Sequence, residues 1–414
     1  MNIHIHTQGC TANQSDSEVM AGILKKAGYS IVDSPDRADL IVLNTCTVKS
    51  PTEMKAYSFL KKWKDKKFVV AGCIPQSDKE KVKGYSLIGT RQVHRIAEVV
   101  DATLQGHTIA LLDLEKSPRL NLPKVRKNRV IEIIPINAGC LGSCAFCKTK
   151  QARGSLFSYA LHDIVKQVET AVKEGIREIH LTSQDTGAYG RDIKTDLPTL
   201  LRAILRVEGD FRVRVGMMNP DLIKGFLPDI IDVLKHPKMF KFLHIPVQVG
   251  SDSVLKAMRR FYTVKDFVDI VMNVRQEIPN VTLWTDIIVG FPGETQRDFQ
   301  KTYALLEDLK IPVVNISKFY PRPGTLASKM QKIPTHIVKE RSTKIAKLQK
   351  KIISNREWLG WEGSVLIDEQ GKGSMIGRND YYKQVIVKED ISLGSSVLVR
   401  IVRTTPIDLH AEIV

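Results

Sequence analysis

The sequence predicts an α/β protein with an N-terminal parallel α/β domain, an open six-stranded (β/α)6 partial barrel and a small C-terminal β-barrel. Strand-like apolar segments alternate with helix-like segments through most of the chain, and short strands separated by turn residues fill its end. The length of 414 residues agrees with about three domains. The contents of 43% hydrophobic and 26% charged residues exclude a largely disordered chain.

The composition indicates the class of partner. A formal net charge of +17 favours a polyanion, with nucleic acid as the first candidate and a merely solvated basic surface as the simpler alternative. The first residues lack a signal-peptide pattern, and no apolar stretch is long enough to cross a membrane. We therefore expect a cytoplasmic protein with no membrane partner. In that reducing compartment, its six cysteines are expected to be metal ligands or catalytic groups rather than disulfides.

The N-terminal domain is predicted to span residues 1–113. Three strand-like segments each lead to a cysteine: the segments are 2–6, 39–43 and 68–71, and the cysteines are Cys10, Cys46 and Cys73. Helix-like stretches at 17–27 and 51–63 lie between them, which predicts a parallel sheet. Because ligands gather beyond the carboxyl ends of such strands, the three thiols are expected to converge on a metal centre with a free position. Three unrelated buried thiols are the alternative.

The second domain is predicted over residues 130–332, after a linker at 114–129 that is rich in proline, lysine and arginine. Its six candidate strands lie near 131–137, 178–183, 211–216, 242–248, 281–288 and 312–318. Its helical candidates lie at about 159–174, 196–206, 220–235, 264–277 and 295–309. A complete eightfold barrel takes about 250 residues. The shorter domain therefore favours an open barrel of six units.

A compact group of thiols follows the first strand of this barrel. Cys140, Cys144 and Cys147 have the spacing C-x3-C-x2-C, and soft sulfur ligands suit an iron–sulfur cluster or zinc. A structural zinc site needs four protein ligands. Three thiols favour a 4Fe-4S cluster with one iron open to a reacting molecule.

The C-terminal part is predicted to contain a basic amphipathic helical connector, residues 333–358, and a small β-barrel, residues 359–414. The lysines and arginines of the 339–351 stretch and the barrel are the expected phosphate contacts. Tyr381 and Tyr382 lie in a turn between two predicted barrel strands. Stacking on bases and simple packing are the two interpretations of these tyrosines.

The Cys140–Cys147 stretch, with Phe146 before its last cysteine, resembles the signature of radical S-adenosylmethionine (SAM) enzymes. The whole chain resembles the radical SAM methylthiotransferases, whose N-terminal motifs look like Gly9–Glu18, Asn44–Cys46 and Gly72–Cys73. The C-terminal segment resembles the RNA-binding TRAM domain. The segments Cys46–Glu53, Gly72–Gln76, Cys144–Lys150 and Val215–Pro220 look like the archaeal and eukaryotic branch of this family.

That resemblance implies an enzyme that converts N6-threonylcarbamoyladenosine at tRNA position 37, in the anticodon loop, to its 2-methylthio derivative. It implies two 4Fe-4S clusters and SAM as cofactors and an electron donor as a partner. The sequence leaves the oligomeric state unknown, with a monomer favoured. The six cysteines are the implied metal ligands and catalytic residues. The residues predicted to bind the cofactor are Phe146, Ser183, Gln184, Gln248, Gly290 and Pro292.

Several further side chains have two interpretations. The cations predicted to meet phosphate, carboxylate or only solvent are Lys148, Arg153, Arg259 and Arg260. Asn13 and Asn44 either support the N-terminal cluster or cap helices. His244 is either a core histidine or a cofactor contact.

Two other functions compete with the tRNA-modifying enzyme. A sister branch of the family methylthiolates an aspartate of a ribosomal protein, which would keep the chemistry and change the substrate. A non-catalytic RNA-binding protein with structural zinc would keep the RNA and remove the chemistry.

Overall fold

The computed structural model describes residues 1–47, 50–117 and 119–414. Val48 and Lys49, in the segment Cys46–Glu53, and Pro118, in the predicted linker, lie outside the described residues. No helix of the described part combines the length and the apolar character that crossing a bilayer requires.

The N-terminal domain is built on a six-stranded parallel sheet with strand order β2-β1-β3-β4-β5-β6. Its strands are β1 Asn2–Thr7, β2 Ser30–Ile31, β3 Leu40–Thr45, β4 Lys67–Gly72, β5 Ser86–Gly89 and β6 Ala110–Leu111. Its helices are α1 Thr11–Lys26, α2 Ser50–Lys62, α3 Cys73–Ser77 and α4 Ile96–Leu104. The predicted parallel sheet is confirmed, with three short strands added to the expected three.

Apolar side chains alternate between the two faces of this sheet. Val42 and Val69 belong to the core on one side, and Ile41 and Val70 belong to the core on the other. Every residue of β3 is buried, because helices cover both faces of the sheet.

Helix α1 begins earlier than predicted. The sequence predicts a start at Ser17, whereas the helix begins at Thr11 with Cys10 at the N-cap position. Its first turns carry the polar residues Asn13, Ser15 and Asp16, all buried. These side chains are buried against polar partners from distant segments. Because the buried face of this first part of the helix is polar, the sequence shows no apolar periodicity there that would predict a helix.

The second domain contains the six predicted strands. They are β7 Ile131–Pro135, β10 Glu178–Thr182, β11 Arg212–Val215, β12 Phe242–His244, β13 Thr282–Val289 and β14 Val313–Lys318, and a hairpin of β8 Asn137–Ala138 with β9 Phe157–Ser158 follows β7. The six form two parallel three-stranded sheets, β11-β10-β7 and β12-β13-β14, joined by a bridge between Val213 and Met239. Strand β12 is shorter than predicted because Pro246 has no amide hydrogen and Gln248 has a φ of 68°.

Helices pack on the outer faces of these sheets. They are α5 Thr149–Arg153, α6 Leu161–Lys173, α7 Leu197–Leu205, α8 Pro220–Ile223, α9 Leu227–Lys235, α10 Asp252–Ala257, α11 Val264–Glu277 and α12 Gln296–Leu309. The single helix predicted at 220–235 is divided into α8 and α9, because the ring of Pro228 prevents a continuous α-helix. The sequence patterns did not predict α5 or α10.

The C-terminal part begins with α13, Thr335–Ile352, within the predicted helical connector. The predicted small β-barrel is confirmed: it is a closed barrel with strand order β15-β16-β17-β19-β18. Its strands are β15 Glu362–Gln370, β16 Met375–Asn379, β17 Gln384–Val387, β18 Ser396–Thr404 and β19 Leu409–Ile413.

Arg341 is not a surface cation of α13, which corrects the prediction for this residue. The Arg341 side chain is buried, and its Nη1 donates to Glu294 Oε2 at 2.6 Å and to the Glu294 carbonyl at 3.0 Å. The lysines that remain exposed on α13 are Lys339, Lys344, Lys347, Lys350 and Lys351.

The two tyrosines of the barrel turn are both packed against other rings, which supports the packing interpretation. The Tyr382 ring lies 4.9 Å from the Phe240 ring and 5.0 Å from the Phe242 ring, measured between centroids. Tyr381 packs on Trp358 at 5.1 Å. The turn joins the barrel to the second domain, and the Lys241 amide donates to the Asp380 carbonyl in the same contact.

Asp368, at this junction, leads to a prediction about pH. Burial and the charge of Glu178 raise the pKa of Asp368 to about 7, against the opposing charge of Arg378. Between about pH 4 and this value only the folded chain keeps the proton, so the free energy of unfolding falls as the pH rises. Asp368→Asn removes this dependence, and the variant should gain about 1–3 kcal/mol relative to wild type between pH 5 and pH 8.

Thermal unfolding of the anaerobic protein at both pH values measures this gain. Asp390→Asn, at an exposed position of the same barrel, is the matched control and should behave as wild type. A pH-independent difference between Asp368→Asn and wild type would contradict the prediction.

Candidate active site

The Cys140–Cys147 loop follows β7 and β8 at the carboxyl end of the second domain's sheet. Its three thiols line a cavity of about 320 Å³. A Cβ atom at Gly142 would lie 3.4 Å from Cys140 Sγ and 3.5 Å from Cys144 Sγ. Glycine at this position leaves the space between the sulfurs open.

Each sulfur of this loop accepts a hydrogen bond from nitrogen. The amide of Gly142 donates to Cys140 Sγ at 3.3 Å, and the amide of Thr149 donates to Cys147 Sγ at 3.4 Å. Arg260 Nη1 donates to Cys144 Sγ at 3.2 Å. Burial raises the pKa of the Cys140 thiol to about 12. Coordination to a metal would remove that proton, and the N–H donors would then stabilise the thiolates.

The N-terminal cysteines lie at the carboxyl ends of adjacent strands. Cys10 follows β1, Cys46 follows β3, and Cys73 follows β4 as the first residue of α3. A hydrogen bond with Cys46 lowers the pKa of Cys73 to about 6, burial opposes that shift, and the charge of Arg153 adds to it. Burial lowers the pKa of Arg153, but interactions with the three cysteines more than offset it and raise this pKa. The Arg153 guanidinium is therefore hydrogen-bonded to Cys73, and its charge also acts on Cys10 and Cys46.

Among the described residues, no three His, Cys, Asp or Glu side chains converge closely enough to share one metal ion. In a 4Fe-4S cluster each thiolate binds a different iron, so the ligands stand farther apart than those of a single zinc.

Two asparagines lie beneath the N-terminal trio. Asn13 Nδ2 donates to Asn44 Oδ1 at 3.0 Å, and Cys10 Sγ lies 3.3 Å from Asn13 Oδ1. Neither asparagine caps a helix, since Asn13 lies inside α1 and Asn44 inside β3. A Cβ at Gly72, whose φ is 91°, would lie 2.4 Å from Asn44 Oδ1. Glycine thus lets β4 approach this amide just before Cys73.

Helix α5 connects the two groups of cysteines. It begins two residues after Cys147 and ends at Arg153, beside the N-terminal trio. Thr90 of the N-terminal domain donates to the Ala152 carbonyl at 2.8 Å, and Arg91 donates to the Arg153 carbonyl. These bonds place the carboxyl end of the N-terminal sheet against the loop that carries the second trio.

Three of the four predicted cations have partners within the protein. Lys148 is buried and paired with Asp78, and Arg153 is buried with its Nη2 3.3 Å from Asp16 Oδ2. Arg260 contacts Cys144 and Asn219. Arg259 alone is exposed, so it is the one of the four that is accessible to an external phosphate.

The residues predicted to bind the cofactor lie where strands end. Ser183 and Gln184 follow β10, and the buried Gln184 Oε1 has no hydrogen-bond partner among the described residues. Gln248, beyond β12, is bonded through its backbone to Asp286 and Ile288 of β13. Because its side-chain acceptor lacks a partner, Gln184 fits a ligand that donates a hydrogen bond.

The remaining predicted residues shape the same end of the domain. The Gly290 amide donates to Glu294 Oε2 at 2.8 Å, and Pro292 lies within this turn. A Cβ at Gly290 would lie 2.5 Å from Val338 Cγ2, so only glycine fits. Phe146 packs edge-on against Phe291, with the ring centroids 6.4 Å apart.

Sequence reasoning missed a polar chain that ends at the cysteine loop. Asp185 is hydrogen-bonded to Asn219, Asn219 to Arg260, and Arg260 to Cys144. Burial raises the pKa of Asp185 to about 6, against the hydrogen bonds from Asn219. Asp185 directly follows the predicted Ser183–Gln184 pair, which was the available signal for it.

A second polar group was also missed in part. His244 Nε2 lies 3.0 Å from Asp286 Oδ2, and Asn315 Nδ2 donates to Asp286 Oδ1 at 2.8 Å. His244 is therefore paired with a carboxylate that the sequence patterns did not single out.

Two stretches of the chain match known families. Residues 2–87 match the family described as Uncharacterized protein family UPF0004, and residues 134–306 match the Radical SAM superfamily. The first match contains the N-terminal cysteines and the second contains the Cys140–Cys147 loop.

Solved structures support the fold. A radical SAM methyltransferase, TsrM from Kitasatospora setae, superposes with a TM-score of 0.58 at 14% identity, over 79% of this chain and 76% of its own. The cobalamin-dependent SAM radical enzyme OxsB superposes with a TM-score of 0.53 at 12% identity, over 84% of this chain and 56% of its own.

Whole-length relatives are considerably more similar. The threonylcarbamoyladenosine tRNA methylthiotransferase of Xenopus laevis is 45% identical over 96% of this chain and 74% of its own length. The Homo sapiens protein of the same name is 45% identical over 96% and 72%. The probable threonylcarbamoyladenosine tRNA methylthiotransferase of Pyrococcus horikoshii is 39% identical over 94% of both chains. The resemblance found in the motifs is thereby confirmed, and the chain belongs to the threonylcarbamoyladenosine tRNA methylthiotransferase family of radical SAM enzymes.

Proposed function

We propose that the protein converts N6-threonylcarbamoyladenosine at tRNA position 37 to its 2-methylthio derivative. The observation that carries the proposal is the placement of two cysteine trios on facing parts of two domains, with α5 between them. The hydrogen on carbon 2 of adenine is unactivated, so a general base or a thiolate alone cannot exchange it for sulfur. Radical chemistry meets that requirement, and the names of the relatives supply the substrate.

We propose that the trio Cys140, Cys144 and Cys147 holds one 4Fe-4S cluster and the trio Cys10, Cys46 and Cys73 holds another. When bound, the first cluster supplies the electron that cleaves SAM to a 5′-deoxyadenosyl radical. The N–H donors at each sulfur of the Cys140–Cys147 loop and the missing side chain at Gly142 support the assignment. Arg153 supports the other trio by placing a positive charge beside three thiolates.

The chain's own residues would position SAM at the carboxyl end of the second domain. Gln184 offers a buried acceptor, and Ser183 and Gln248 lie at the ends of neighbouring segments. The Gly290 amide is already used by Glu294, so Gly290 and Pro292 would shape the turn that faces the cofactor. Glu294 in turn is fixed by Arg341 of α13.

Recognition of tRNA would use exposed cations outside this site. We propose the exposed lysines of α13 and the C-terminal barrel as phosphate contacts, since surface cations that neutralise phosphates release counterions from the RNA. Of the α13 lysines, Lys344 is paired with Glu340 at 2.6 Å. An external electron donor would reduce the first cluster. As the sequence predicts, we propose a cytoplasmic enzyme, and we favour a monomer as its oligomeric state.

The substrate is tested with two acceptors and one anaerobically reconstituted enzyme. We expect mass spectrometry of nucleosides to show 2-methylthio-N6-threonylcarbamoyladenosine in tRNA that carries the precursor, and no product on the aspartate of the ribosomal protein. Cys144→Ala controls for background modification. Product on the protein and none on tRNA would contradict the proposal, and so would unchanged modified nucleoside in a deletion strain.

The cofactor assignment predicts the iron content of variants. Wild type should bind about eight iron and eight sulfide per chain, and Cys144→Ala or Cys46→Ala should each retain about four of both. Both variants should form no methylthiolated product. Ser143→Ala, at an exposed position of the same loop, is the control and should retain full iron. Zinc in place of iron would support the RNA-binding alternative instead.

The hydrogen bond from Arg260 to Cys144 predicts a shift in the first cluster's reduction potential. Arg260→Met removes a positive charge and an N–H donor from the sulfur, so the potential should fall and product formation should slow about 10- to 100-fold. Redox titration followed by electron paramagnetic resonance measures the potential. Arg259→Met removes the neighbouring exposed charge and should leave it unchanged. Equal potentials in wild type and Arg260→Met would contradict this role.

A further inference from the structure

Two aromatic side chains are exceptions to the packing of this protein. Among the Phe, Tyr and Trp residues of the described part, only Phe261 and Tyr320 are exposed, at 75% and 56% of their surface. Exposing a large aromatic ring to water forgoes the stabilisation that its burial would provide. Both exposed rings belong to loops beside the Cys140–Cys147 loop.

Ala145, in the Cys140–Cys147 loop, is hydrogen-bonded to both of the segments that contain the exposed rings. The Ala145 amide donates to the Met258 carbonyl at 2.9 Å, and the Ala145 carbonyl accepts from the Ala327 amide at 2.9 Å. Met258 leads to Phe261, and the segment from Tyr320 to Ala327 lines the cavity at Gly324, Thr325 and Leu326. The two rings therefore belong to two different segments, each hydrogen-bonded to the loop that contains Cys144 and Cys147.

The neighbours of each ring are tightly held. Phe261 lies between Arg260, which contacts Cys144, and the buried Tyr262, whose hydroxyl donates to the Val247 carbonyl at 2.9 Å. Tyr320 lies under Arg322, with the guanidinium 5.5 Å from the ring centroid, and Arg322 pairs with Glu53 of the N-terminal domain. Both rings are therefore exposed on segments whose neighbouring residues are held in place by hydrogen bonds and an ion pair.

Unpaired cations lie in the same segments as the rings and in the cysteine loop's own cavity. Arg259, Lys150 and Lys329 are exposed and have no side-chain hydrogen bond or ion pair with any described residue. Arg259 also has a φ of 57°, a left-handed conformation that costs energy in a residue other than glycine. Aromatic rings interspersed with unpaired cations are typical of surfaces that bind single-stranded nucleic acid.

We propose that Phe261 and Tyr320 stack on the unpaired bases next to the target adenosine, while Arg259 contacts the phosphate between them. The inference rests on the proposed function. It adds the means by which the protein holds the anticodon loop of the RNA open around the target adenosine. An adenosine inside a stacked loop must be turned out before its carbon 2 reaches the cavity. A ring on each of the two segments bonded to the cysteine loop replaces the stacking that its neighbours lose.

A redox protein is the competing occupant of this surface. Its docking would favour one contiguous apolar patch, whereas the two rings belong to different segments and each has an arginine two residues away, Arg259 and Arg322. Separate rings accompanied by cations match a single strand of RNA, so RNA is the occupant that the arrangement favours.

The test uses the full-length protein and an anticodon stem-loop RNA with 2-aminopurine on either side of position 37. Stacking quenches 2-aminopurine, so wild type should lower its emission on binding. Phe261→Ala and Tyr320→Ala should each weaken binding about 5- to 150-fold and abolish the quenching at one of the two positions. Compared with Phe261→Ala, the Phe261→Tyr variant should regain both the affinity for RNA and the quenching of 2-aminopurine. Phe261→Leu should regain neither, because leucine is apolar and cannot stack.

Met272→Ala, which removes an exposed apolar side chain from α11, is the control and should bind as wild type. Wild-type affinity and quenching in both alanine variants would overturn the proposal. So would a Phe261→Ala variant that binds RNA normally but turns over slowly with a flavodoxin as reductant and normally with dithionite. The binding measurement requires no catalysis, so failure of wild type to modify tRNA would overturn the proposed function separately.

Discussion

The arrangement of the N-terminal site depends on a positive charge buried among thiols. Thiolates repel one another in a medium of low polarity, and a guanidinium within reach of all of them offsets that repulsion. Arg153 supplies that charge: it acts on Cys10, Cys46 and Cys73, and its Nη2 lies 3.3 Å from Asp16 Oδ2. Because Arg153 belongs to the second domain, the N-terminal trio has its electrostatic partner only when the two domains are in contact.

The same residue accounts for the proximity of the two sites. Arg153 lies six positions after Cys147 along a chain segment that contains α5. A short helix between two fixed points leaves little freedom in their separation. The hydrogen bonds from Thr90 and Arg91 to the end of α5 and the Lys148–Asp78 pair maintain this contact. In the function proposed here, a radical formed at one trio and a sulfur donor held at the other would require such a fixed relation.

Basic residues show where sequence reasoning fails. Lys148, Arg153 and Arg341 have the same side-chain chemistry as the exposed lysines of α13, yet all three are buried in ion pairs. A buried cation whose partner is distant in sequence produces no local pattern. The sequence alone therefore does not distinguish it from a surface cation that contacts phosphate. Removing one member would leave an uncompensated charge, which is why such pairs specify how the domains meet.

The family, the six strands of the second domain, the terminal barrel and the positions of the six cysteines follow from local patterns. Alternation, turn residues and thiol spacing act over a few neighbouring residues, and the order of elements restricts the topology. Only the tertiary structure determined three other features: the early start of α1, the Asp185–Asn219–Arg260 chain and the packing of Tyr382. Each of them rests on contacts between segments far apart in the chain, and such contacts leave no periodicity from which to infer them.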